Sequence, residues 1–193
     1  MMALTMNEAM TLDVRDLYAE LKAQAAGLGN DEPLARMLAS QRAGIGAMPL
    51  CLGLSHKQFT AMMRLHFPGA VAEHWMGGAE FDLARAPELA ELRTLFLAHC
   101  PKVAPEKEWM AEILAAGCLG SDHLWQDLGL WSRQDLSGLI EHNFPALKAK
   151  NDRDMKWKRF FYKQLCVQEG VYTCRSPSCE VCDDYVRCFG PEE

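Results

Sequence analysis

The sequence predicts an all-α fold: a compact, single multi-helix domain that ends in an irregular cysteine-rich metal-binding segment. Apolar residues recur at helical intervals along most of the chain, and glycine and proline punctuate the ends of those stretches. No alternating β-branched run is long enough to suggest a sheet. With 193 residues, 49% of them apolar, and five tryptophans, the chain can bury a core without staples.

The elements follow in order. Val14, Leu17, Leu21 and Ala25 lie on one side of a helix over 14–27 that stops at a glycine. Residues 31–44 repeat the design, with an acidic first turn and Gly44 as the stop. Ser55 and Gln58 have capping-box spacing ahead of Phe59, Met62, Met63 and His66. Pro87 suits the first turn of a helix striped by Leu89, Leu92, Phe96 and Cys100. Trp109 and Ile113 mark the next. Two short helices are expected over 121–130 and 132–144, the second capped by Ser132. The last, over 154–170, carries Trp157, Phe161 and Leu165 four apart on a buried face, with Lys156, Arg159 and Lys163 striping another. About seven or eight helices result. The helical body spans about residues 1–168 and the cysteine-bearing segment about 169–193 of one domain.

Net charge is −6, unevenly spread: residues 1–147 carry 11 Lys/Arg against 18 Asp/Glu, and residues 148–193 carry 9 against 8. Long-range attraction to nucleic acid is not supported, although residues 148–163 hold seven basic and two acidic side chains and suit a local anion site or a solvated face. The N-terminus shows no basic stretch followed by an apolar run, so no signal peptide is expected. No apolar run approaches the roughly eighteen residues of a membrane span. A cytoplasmic chain, where structural disulfides are rare, is the expectation. No phosphate loop or Ser/His/Asp arrangement marks a hydrolase.

"CRSPSCEVCDDYVRC" places Cys174, Cys179, Cys182 and Cys188 within fifteen residues, as C-x4-C-x2-C-x5-C. This segment is too short for its own core, and four thiolate bonds to a metal centre would offset the entropy of ordering it. Zinc is one reading, but only Cys179 and Cys182 form a common knuckle pair, leaving no room for two knuckles. A compact run suits an iron–sulfur cluster, cubane in type. A redox dithiol is a weaker third reading. Arg175 and Arg187 flank the outer cysteines and, with Lys156, Arg159 and Lys163, could balance an anionic centre or draw an oxyanion.

Cys51, Cys100 and Cys118 have apolar neighbours and read as buried thiols. Cys166, separated from Cys174 by seven residues, is a further candidate ligand or sulfur donor. His56, His66, His74 and His99 occur singly and read as core or surface residues. His123 and His142 flank the tryptophan-containing helices and are additional candidates for a metal or oxyanion.

The run from Trp157 to Glu193, with C-x4-C-x2-C-x5-C followed by "FGPE", resembles the C-terminal signature of the NifQ family. Residues 123–151, "HLWQDLGLWSRQDLSGLIEHNFPALKAKN", are also similar. The resemblance implies a nitrogen-fixation accessory protein: an iron–sulfur protein that takes molybdate-derived molybdenum and donates it for assembly of nitrogenase's iron–molybdenum cofactor. It implies that Cys174, Cys179, Cys182 and Cys188 are the motif cysteines. It also implies the NifEN scaffold and NifH as partners, and a metal carrier more than a turnover enzyme. The chemistry is coherent: cations attract the hard oxyanion, sulfur retains the reduced metal, and an incomplete cubane corner could accept molybdenum. The rival, a zinc-stabilised helical adaptor for a protein partner, predicts a colourless protein without molybdenum uptake.

Overall fold

In the computed structural model, which describes residues 13–78, 87–100, 105–168, 170 and 185–192, Asp13 opens α1 (Val14–Lys22) by accepting the N–H of Arg15 at 2.8 Å. Leu17 and Leu21 are buried, and α1 packs on α2 (Asp31–Arg42). The first helix stops at Lys22, several residues before the glycine expected to end it; the N–H groups of Ala23, Gln24 and Ala25 close the turn onto nearby carbonyls. Ser55 caps α3 (His56–His66) in the expected capping box. Phe59, Met62, Met63 and His66 are all buried.

The body continues with α4 (Pro87–Ala98), α5 (Pro105–Cys118), the single turn α6 (Leu124–Asp127) and α7 (Arg133–Asn143). The expected cap is present on α7, where Ser132 accepts the N–H of Asp135 at 3.1 Å. Helix α8 (Pro145–Lys150) follows directly. It was not expected, because the helical stripe of α7 runs out at Phe144 and six residues carry little periodic signal of their own. Helix α9 (Trp157–Gln168) buries Trp157, Phe160, Phe161 and Leu165 and packs on α4. Phe96 of α4 stands edge-on to Phe161 at 4.8 Å and lies 5.4 Å from Phe144. A last short helix, α10 (Tyr185–Phe189), lies within the cysteine segment.

A buried polar network ties these helices together. Asp31 accepts the N–H groups of Gly27 and Leu28 at 2.7 and 2.8 Å and bonds His66 Nδ1 at 2.7 Å. Asn30 and Asn143 exchange amide hydrogen bonds at 2.9 and 2.7 Å, and Asn30 also donates to Glu106. The network links groups from α2, α3, α5 and α7.

Among the described residues there is no strand, and no helix is long and apolar enough to cross a membrane.

Candidate metal centre

Helix α9 starts at Trp157, three residues later than the expected span of 154–170, and the reason shapes the site. Asp154 has φ +54°, outside helical geometry. The Asn151 side chain closes the turn, donating to the Met155 carbonyl and accepting its N–H, both at 2.8 Å. The resulting 151–156 loop becomes a seat for α10. The N–H of Lys156 donates to the Cys188 carbonyl at 2.7 Å, and the Arg153 guanidinium lies 5.5 Å from the Phe189 ring centre.

Beyond α10 the chain turns back. Gly190 donates its N–H to the Val186 carbonyl at 2.8 Å, and a Cβ built there would meet that oxygen at 2.5 Å, so only glycine fits. The turn carries Glu192 inward until its side chain is 3% exposed. Its carboxylate lies 3.4 Å from Arg133 Nε and 3.9 Å from His123 Nδ1. Arg133 meanwhile donates to Asp154 Oδ2 at 2.6 Å and to the Asp154 carbonyl at 3.3 Å. The bond to Asp154, with the nearby Glu192 charge, raises the Arg133 pKa, and the same bond lowers that of Asp154.

Of the four motif cysteines, Cys188 is described; it is half-buried on α10 with a free thiol. Cys174, Cys179 and Cys182, with Arg175, lie outside the described residues. Arg187 is exposed on α10, and Arg159 and Lys163 are exposed along α9, while Lys156 is half-buried where the stripe meets Cys188. Cys166 is half-buried in the last turns of α9. Of the two histidine candidates, His123 meets the tail through Glu192, whereas the His142 ring packs over Gly29, where a Cβ would come within 2.5 Å of it.

Of the remaining thiols, Cys51 and Cys118 are buried as the sequence suggests, whereas Cys100, just past the end of α4, is half-buried. Burial raises the pKa of Cys51 and Cys100, and pushes Cys118 up to about 12, so these sulfurs stay protonated and poor as metal ligands. His66 is buried, His99 bonds the Leu95 carbonyl and Lys150, and His56 and His74 are exposed. Among the described residues, no three His, Cys, Asp or Glu side chains are grouped to hold a metal. A donor set of soft thiolates beside cations fits an anionic iron–sulfur centre, and a half-buried Cys188 can present one of them.

Comparison with known proteins decides the family. The NifQ family model matches residues 33–190. The chain belongs to the NifQ family. Protein NifQ of Azotobacter vinelandii is 47% identical over 171 residues, covering 82% of this chain and 87% of the relative. Protein NifQ of Rhodobacter capsulatus is 40% identical over 162 residues, with the same coverage of 82% and 87%. Protein NifQ of Klebsiella pneumoniae is 36% identical over 163 residues, covering 81% of this chain and 96% of the relative. No solved structure matches. Against this NifQ frame, the residues that sequence reading missed are Arg133, Arg153, Asp154 and Glu192. Their partners are too distant in sequence for spacing to reveal; the one local signal was the "FGPE" ending, whose glycine makes the turn and whose glutamate reaches Arg133.

Proposed function

We propose that this NifQ-family chain is an iron–sulfur protein that receives molybdate-derived molybdenum and donates it for nitrogenase iron–molybdenum cofactor assembly. Membership of the family supports a role in the nitrogenase molybdenum-cofactor pathway. The finer reading rests on one observation: the helix bearing Cys188 is seated where the basic stripe of α9 begins.

In this reading Cys174, Cys179, Cys182 and Cys188 hold the cluster, which supplies the sulfur environment in which reduced molybdenum, the cargo, is retained. Lys156, Arg159 and Lys163 supply positive charge on the approach, and Arg175 and Arg187 balance the thiolates. Cys166 stands near enough in sequence to serve as an additional sulfur ligand. NifEN and NifH are the proposed recipients. The test is anaerobic loading of the purified protein with molybdate, followed by transfer to a NifEN/NifH cofactor assembly lacking other molybdenum. Wild-type chain should support cofactor maturation, and Cys182→Ala should not. Full donation by a cluster-free Cys182→Ala variant would place the molybdenum elsewhere, with His123, His142 and Cys166 the next candidates.

A further inference from the structure

We propose that Glu192 is a positioning residue, which with Arg133 latches the Cys188 helix onto the body before any metal is bound. This rests on the reading of Cys188 as a cluster ligand. Its basis lies in the protein's own contacts. The Glu192 side chain is almost fully buried at 3% exposure, four residues past Cys188, and faces Arg133 at 3.4 Å and His123 at 3.9 Å. A buried carboxylate is tolerated only beside compensating charge, so the turn at Gly190 and the Arg133 cation must act together. Arg133 grips Asp154 of the loop that also supplies the Lys156 N–H to Cys188. One guanidinium thus fixes both sides of the seat: the loop beneath α10 and the chain end beyond it.

The consequence concerns assembly. With Cys188 held, its thiolate is offered at a defined place beside α9, so one of the four ligands is positioned ahead of the metal. Pre-organisation of this kind lowers the entropic cost of taking up the metal.

The experiment compares wild type, Glu192→Gln and the charge-retaining Glu192→Asp as full-length chains, each first without metal. Hydrogen exchange of the Lys156 amide and of residues 185–192 reads the latch directly. Glu192→Gln should exchange there roughly tenfold faster, with amides of α3 and α5 unchanged, and Glu192→Asp should keep part of the protection. Each chain is then reconstituted anaerobically with ferrous iron and sulfide. Glu192→Gln should lose its iron to a chelator several-fold faster than wild type. Unchanged exchange at Lys156 in Glu192→Gln would overturn the latch. Faster exchange with unchanged iron loss would overturn its role in positioning the ligand. A wild type that takes up no iron would instead remove the cluster reading, and the positioning role with it.

Discussion

The N–H of Lys156 donates to the carbonyl of Cys188 over 2.7 Å, joining the residue before α9 to the last of the four motif cysteines. The bond uses the main chain of both residues, so it leaves the Cys188 sulfur available for a metal. It also ties α10 to the helical body through the chain's own main-chain contact. The helical body already holds its C-terminal part, through Lys156, Arg153 and Arg133.

Separating the docking of Cys188 from its thiol gives the first prediction. Cys188→Ala should abolish iron binding while leaving α10 on its seat, because the carbonyl that Lys156 bonds survives the substitution. Iron analysis should fall to background, and limited proteolysis of the metal-free chain should match wild type. Cys100→Ala, at a thiol kept protonated by burial, should retain its iron.

Cys118 predicts a loss of stability in alkali. Burial holds its thiol at about 12 in the folded chain, against an ordinary value of 9.0. In the unfolded chain the proton leaves first, so between roughly pH 9 and pH 12 unfolding gains up to about 1.4 kcal/mol per pH unit from this group. Its stabilising contribution is therefore complete below about pH 9 and lost as pH rises through that window. Cys118→Ala should flatten this part of the denaturant-midpoint profile, with a packing loss of about 1 kcal/mol at neutral pH.

Lys158 supports a prediction about the body. Its ammonium bonds the carboxylate of Asp127, which is 1% exposed, and donates to the Gly120 carbonyl at 2.8 Å. Lys158→Met strands a buried carboxylate and should cost about 3 kcal/mol in urea unfolding. Adding Asp127→Asn should recover a large part of that loss, since the pair then no longer holds an uncompensated charge.

The exposed stripe of α9 bears on molybdate. Arg159 and Lys163 are open to solvent, so reversing Arg159 to Glu should slow molybdate loading at low ionic strength without changing iron content. The difference should shrink as salt is raised towards about 1 M, where screening acts over about 3 Å. Equal loading rates at low salt would leave the stripe as a solvated surface.

Much of the body was readable in the sequence because its signals are local. The Ser55–Gln58 box, the Ser132 cap and the four-residue spacing of Trp157, Phe161 and Leu165 each act within one or two helical turns. The start of α9 was misplaced by three residues because Asp154 adopts φ +54° to let Asn151 close its turn, which no apolar periodicity reports. Helices α8 and α10 were missed for lack of length. At the site, cysteine spacing and the "FGPE" signature were visible, but the latch was not: Arg133 and Glu192 come together only through the fold. Lys158 was likewise read as part of a basic run, whereas it is drawn inward by Asp127.

The central claim, that Cys174, Cys179, Cys182 and Cys188 hold an iron–sulfur cluster, is tested most directly by metal analysis of the protein purified without oxygen. Iron, acid-labile sulfide and zinc are measured per chain, together with the visible absorption spectrum. The account predicts iron and sulfide in matching amounts, a brown protein, and loss of all three signals in Cys182→Ala. One zinc per chain in a colourless protein, with neither iron nor sulfide, would contradict it.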